Sequence, residues 1–218
     1  MTCIFIDTQD STSLIFDQGG VVTVFDQTQA EKEFIRTVVI KNNTQLEWYG
    51  VMTGGAHYKL HFVTESWKSL IHIVFLSHNH KMVQCTVHST LSQSHTVSDI
   101  HLLSLVGDDG DIDLNGTVEI ISWIEKVSGH ILEENIFFWS RWQIRGIPSL
   151  LVHSDDVEAG HAARIERISD EKLYYLRARW VPRDDAVIMM IQSAIYWLFS
   201  GLDRVQRENI LSQVLALI

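Results

Sequence analysis

Four side chains of metal-ligating type crowd one stretch of the chain: His78, His80, Cys85 and His88, with gaps of one, four and two residues. Tetrahedral zinc takes four such nitrogen and sulphur donors. Cys85 and His88, however, lie three apart in an alternating run, which on a strand puts them on opposite faces. The pattern therefore reads as turn histidines beside a buried cysteine. Asp111, Asp113, Asn115 and Gly116 match the first half of a calcium loop, but Ser122 stands where the loop needs its bidentate glutamate. An acidic turn ahead of a strand is the expected reading. Ser154, Asp155, Asp156 and His161 are triad residue types, yet no nucleophile elbow or oxyanion-type glycine loop accompanies them. Asp155 and Asp156, read as strand neighbours, face opposite ways, which argues against a hydrolase built on that pair. No GxGxxG or Walker-type loop occurs, so no catalytic residue is assigned and no nucleotide is expected on this chain.

The elements that must position these groups are mostly strands. Runs rich in β-branched and aromatic residues recur at 4–6, 13–16, 21–25, 35–40, 46–52, 58–63, 70–76, 82–87, 100–106, 117–123 and 136–139. Polar clusters separate them, among them Lys41-Asn42-Asn43, Thr53-Gly54-Gly55 and Gly107-Asp108-Asp109-Gly110. Two all-β architectures fit this rhythm. Asp109-Gly110 and Asn115-Gly116 favour the hairpins of a sandwich or barrel. The looser Asn, His and Ser corners suit a β-solenoid with two strands in each rung of roughly two dozen residues. Pattern alone leaves both open.

After Val157 the chain changes character. Residues 169–180 open on a serine N-cap with Asp170 and Glu171 behind it, and Arg177 and Arg179 follow in the last turn. Pro182 suits the start of a second helix, 186–202, which is apolar almost all round and therefore buried. Gly201 is placed to end it, and 203–218 reads as a final amphipathic helix. The expected division is a β core over 1–157 and a small helical domain over 158–218.

Composition narrows the function classes. The 218 residues are 46% hydrophobic, with two prolines, enough for a packed core and long unbroken elements. A net charge of −10 repels phosphate backbones and anionic lipid, so neither nucleic acid nor membrane is an expected partner. Cys3 and Cys85 form no CxxC pair or disulfide framework, and the first residues lack a basic signal-peptide region. A reducing, cytoplasmic setting is the expectation.

The segment from Pro148 to Arg179 resembles the SufB/SufD family of iron–sulphur cluster assembly. The resemblance rests on a proline-led strand, then Asp155-Asp156-Val157-Glu158, His161 and Ala162, an acidic helix start, and Tyr175-Leu176 followed by Arg179. It extends over about 135–202; 112–116 and His88-Ser89 fit more loosely, and 1–80 carry no legible match. The resemblance implies a mainly β fold, a right-handed parallel β-helix followed by a small α-helical domain. It also implies a non-catalytic scaffold subunit that pairs with a SufB-like paralogue, or with itself, through the β-helix. A SufC-like ATPase would dock on the C-terminal helices, and a transient iron–sulphur cluster or iron would sit at the subunit interface. His161 falls where the family carries a histidine implicated in cluster assembly; Cys85 is a second candidate ligand. Three departures point to the SufD-like branch or set the chain apart. Glu133 falls near the place of a SufB cysteine, Ala162 follows the histidine where SufB has glutamate, and Trp180 replaces a glycine. The rival expectation is a stand-alone homodimeric β-solenoid binding protein with no ATPase.

Overall fold

The computed structural model describes residues 2–6, 12–138 and 142–215. Fourteen strands precede three helices among them: β1 (Thr2–Ile6), β2 (Thr12–Phe16), β3 (Gly20–Gln29), β4 (Phe34–Ile40), β5 (Thr44–Thr53), β6 (His57–Thr64), β7 (Lys68–Ser77), β8 (Met82–Leu91), β9 (Val97–Val106), β10 (Gly110–Ile120), β11 (Val127–Phe137), β12 (Trp142–Arg145), β13 (Ser149–Val152), β14 (Val157–Arg167), α1 (Asp170–Arg177), α2 (Arg183–Leu198) and α3 (Arg204–Leu215).

Alternate strands go to alternate sheets. One sheet, A, runs β1-β3-β5-β7-β9-β11-β14; the other, B, runs β12-β10-β8-β6-β4-β2, with β13 also on β10. Every strand pairing among the described residues is parallel, so these strands form no hairpins, and the choice left open by pattern resolves in favour of a parallel β-helix. Val21 pairs with Gln45, and Gln45 with Lys68, so early rungs take about two dozen residues. Val97 pairs with Ser128 and Ser128 with Glu158, so later rungs take about thirty.

The period-two pattern explains the interior. In β10 burial alternates without interruption, Ile112, Leu114, Val118 and Ile120 pointing in while Asp111, Asp113 and Asn115 point out. Trp48 meets Phe62 edge-on at 5.4 Å across the interior, and Phe34 tilts against Tyr58 at 5.8 Å. Sheet A departs from alternation in the second halves of β5, β7 and β9, which are buried on both faces. There the helices form a second core: Ile191, Ile195 and Leu198 of α2, Phe199 at its C-cap, and Ile210 and Val214 of α3 cover Tyr49, Val51, Val74, Leu103 and Leu105.

Several boundaries move from their sequence expectation. The strand expected over 117–123 is β10, from Gly110, and Trp123 lies beyond it in the corner at φ 67°. Asn115-Gly116 is no hairpin turn; it lies inside β10. Gly116 is needed there for close approach, since a Cβ would stand 2.2 Å from Ile131 Cδ1 and 2.8 Å from Glu133 Oε1. Most of β11 was not expected, and Trp139, the end of the run 136–139, lies outside the described residues. The sheet also crosses the expected division at Val157: β14 continues to Arg167, and helix begins at Asp170. Ser169 caps α1 as expected, its Oγ accepting from Lys172 N at 3.3 Å. Trp180 takes the left-handed conformation at φ 67°, one in which glycine commonly ends a helix. Pro182 is the N-cap of α2, and 216–218 of the expected last helix lie outside the described residues.

One interior feature has no counterpart in the apolar pattern. Arg36 of β4 points inward and forms an ion pair with Asp26 of β3, both side chains fully buried. The guanidinium also lies 4.7 Å from the Phe34 ring centroid, and Arg36 Nε donates to Thr12 Oγ1 at 3.1 Å. Arg36→Ala removes the cation from beside the buried Asp26 carboxylate, which keeps its hydrogen bond from Thr28, and should cost about 3–5 kcal/mol of unfolding free energy. Replacing the pair together, Arg36→Met with Asp26→Leu, should cost much less; urea titration of the two variants measures the difference.

Candidate functional site

The site lies where the stacking stops. β14 closes sheet A and pairs with β11 alone; no strand among the described residues occupies its other edge. Below it sheet B ends in the short β12 and β13, so the last rung is thinly covered and most of β14 is exposed. Its free edge presents the backbone donors and acceptors of alternate residues along an eleven-residue strand, with Ile165 58% exposed beside it.

His161 stands in the middle of this strand, opposite Ile131. Its Nδ1 lies 2.9 Å from the carbonyl oxygen of Pro148. A carbonyl only accepts, so Nδ1 carries the hydrogen and a neutral ring leaves Nε2 as a free lone pair. The residues leading to Pro148 fix that carbonyl: Gly146 takes φ 132°, and a Cβ there would lie 1.6 Å from Leu114 O. The imidazole is thus oriented by a backbone partner, as metal-ligating histidines commonly are.

One rung inward, Glu133 of β11 points into the β-helix and is almost wholly buried. It accepts the Gly116 N–H at 2.6 Å. Burial pushes its carboxyl up from 4.5 to about 7, the Gly116 bond opposing only in part. Sequence reasoning noted Glu133 only for the cysteine it replaces. Its burial was hidden because the inward set Ile131-Glu133-Asn135 is more polar than the outward set Leu132-Glu134-Ile136; Gly116, a glycine within a strand, was the available signal.

Cys85 lies two rungs back in sheet B, between Tyr58 and Leu114, and is fully buried. Burial, and then the charge of Glu133, push its thiol well above the usual range. The structure does not bring it to His161, and such a thiol is a poor source of thiolate, so Cys85 is not supported as a cluster ligand. His88 points away from it into solvent, as alternation requires. Asp155 and Asp156 are not strand residues; both are exposed in the bend before β14, where the Asp156 carbonyl accepts from Lys126 N at 2.8 Å. Val157 packs on the core, and Glu158 is exposed opposite Ser128. Tyr175 is exposed on α1, with the Arg179 guanidinium 4.2 Å from its ring centroid. These motif residues build the corner and the first helix; they do not converge on His161. Among the described residues no three His, Cys, Asp or Glu side chains form a metal cage.

Two histidines on the outer face of sheet A tie the helices to the strands behind this edge. His72 Nδ1 donates to Leu198 O, at the end of α2, at 2.6 Å. His101 Nε2 lies 2.8 Å from Glu134 Oε2, and its ring meets Trp197 of α2 edge-on at 4.9 Å. Burial lowers the pKa of both imidazoles. A groove of about 480 Å³ opens beside them, with Asp99, His130 and Ala162 in its wall and His161 at its lip.

The fold is a parallel β-helix followed by three helices, with an oriented histidine on its open terminal strand. Residues 10–194 match the family described as SUF system FeS cluster assembly, SufBD core domain. The chain belongs to this family, and the match reaches far upstream of the segment in which the resemblance was legible. It is 30% identical over 113 residues to the iron–sulphur cluster assembly protein SufD of Escherichia coli, covering 52% of this chain and 26% of that protein. It is 46% identical over 44 residues to SufD of Bacillus subtilis, covering 20% and 10%. A SufBD family protein of Archaeoglobus fulgidus is 29% identical over 91 residues, covering 42% and 25%. The matches span about a quarter or less of the relatives' lengths. No helix among the described residues is long and apolar enough to cross a membrane.

Glu133 makes stability depend on pH. A carboxyl raised in the folded state stabilises fully below its unfolded value of 4.5, and that contribution is lost as pH rises through about 7. The loss should be at most roughly 3 kcal/mol. Glu133→Gln should flatten this decline, read from urea midpoints across the interval.

Proposed function

We propose that this chain is a SufD-like scaffold subunit of an iron–sulphur cluster assembly complex, without catalysis of its own. The observation that carries this reading is His161, held by Pro148 O on an unpaired edge strand with Nε2 free. A partner's strand added along β14 would satisfy the open backbone row and bring a second set of side chains to that nitrogen. The partner is a SufB-like paralogue. A second copy of this chain is the alternative, since the same edge can pair with itself in a homodimer that uses no ATPase.

Iron, or a nascent iron–sulphur cluster, is the cargo at this junction, and His161 supplies one nitrogen ligand or moves a proton there. The energy source is a SufC-like ATPase docked on the helices. Their surface supports that role: Tyr174, Trp180 and Met189, in and between the first two helices, are exposed at 75%, 96% and 47%. The acidic surplus and the reducing chemistry of clusters suit a cytoplasmic setting.

His161→Ala should leave the far-ultraviolet circular dichroism unchanged, because the residue is exposed on a terminal strand. It should lower the iron–sulphur yield of the assembled complex severalfold. Unchanged yield would remove His161 from the mechanism. Anaerobic affinity purification from the native host checks the company: an ATPase and a SufB-like chain should elute with it. Elution as a homodimer alone would favour the alternative.

A further inference from the structure

The histidine left over from the failed metal motif has partners on other rungs. His88 points outward from β8, away from Cys85. The register sets His61 of β6 directly beside it, and sets Thr90, two residues on, beside Glu119 of β10. The two imidazoles meet edge-on with centroids 5.1 Å apart. His88 Nε2 lies 2.9 Å from Glu119 Oε2, and His61 Nε2 lies 3.1 Å from Thr90 Oγ1. All three side chains stand on the solvent side of sheet B, on three adjacent central strands rather than on loops. His88 and Glu119 are 34% and 30% exposed, so an ion can reach them. Lys59, on the same face two residues before His61, is turned to Glu33.

We propose that His61, His88 and Glu119 form a surface site for one divalent first-row transition-metal cation. Two imidazole nitrogens and one carboxylate oxygen with open positions is a donor set that both zinc and iron(II) accept. The donors do not yet converge, since Glu119 bonds His88 and His61 bonds Thr90. Only side-chain rotation separates them from convergence. Neighbouring strands lie about 4.8 Å apart, and two nitrogens each about 2.0–2.1 Å from one ion stand about 3.3 Å apart. His61 and His88 can meet that separation if His61 swings from Thr90; His88 Nε2, which donates to Glu119 as it stands, gives up that hydrogen when it takes the ion. The site lies on the sheet opposite to His161 and stands whether or not the cluster-assembly reading does.

The test is calorimetric titration of zinc into the intact chain after chelator treatment, with cobalt absorption as a report of nitrogen and oxygen ligation. One ion should bind per chain. His61→Ala, His88→Ala and Glu119→Gln should each weaken binding by about tenfold or more, with circular dichroism unchanged. His130→Ala, in the groove of the other sheet, should leave binding unchanged. The proposal is overturned if the intact chain takes up no zinc, or if the His61→Ala, His88→Ala double variant keeps the affinity and stoichiometry of the parent.

Discussion

Parallel backbone pairing between successive rungs is the constraint from which the other features follow. In a parallel β-helix a residue's nearest lateral neighbour is its counterpart one turn of the chain away. Gln45 lies between Val21 and Lys68, and Leu132 between His101 and Ala162. No rung buries its apolar face alone, so stability accrues from stacking, and each inward position becomes a column of like residues. Columns tolerate polar members only when these are matched: Arg36 with Asp26, Glu133 with the Gly116 amide, and the hydroxyls of Ser69 and Ser98 at 3.0 Å.

The same constraint makes the end of the stack special. Interior strands have both edges satisfied; β14 has one. A long exposed edge is an aggregation hazard unless a partner covers it, which is why a subunit contact is the physically economical reading of this surface. The helices do not cap that edge. They lie along the outer face of sheet A, where Val74, Leu103 and Leu105 give them an apolar bed, and His72 and His101 clamp the end of α2. The helices are thereby held against the strands behind the terminal edge.

Much of the fold was legible in local patterns. The alternation of 58–63 and 82–87 marks half-buried strands, and Ser169 with Asp170 and Glu171 marks the start of α1, because these signals act over a few residues. Elements whose shape depends on remote neighbours were less legible. Asn115-Gly116 has the chemistry of a hairpin turn, but the Glu133 carboxyl and Ile131 need the empty space of Gly116 in mid-strand. β14 carries exposed, charged residues on both faces and lacks the alternation that announces a strand, since little covers it.

The candidate sites divide along the same line. His161 could be singled out from its sequence surroundings, because it sits in a compact run from Pro148 to Arg179. The opposite facing of Cys85 and His88 followed from period-two geometry within one strand. That His161 is oriented by Pro148 O, that Glu133 is buried beside the Gly116 amide, and that His88 meets His61 and Glu119 were decided only in three dimensions. Sequence patterns determine which way a side chain points from its own strand. The residue it meets one rung away depends on the length of every intervening corner, and corners here vary without a repeating signal.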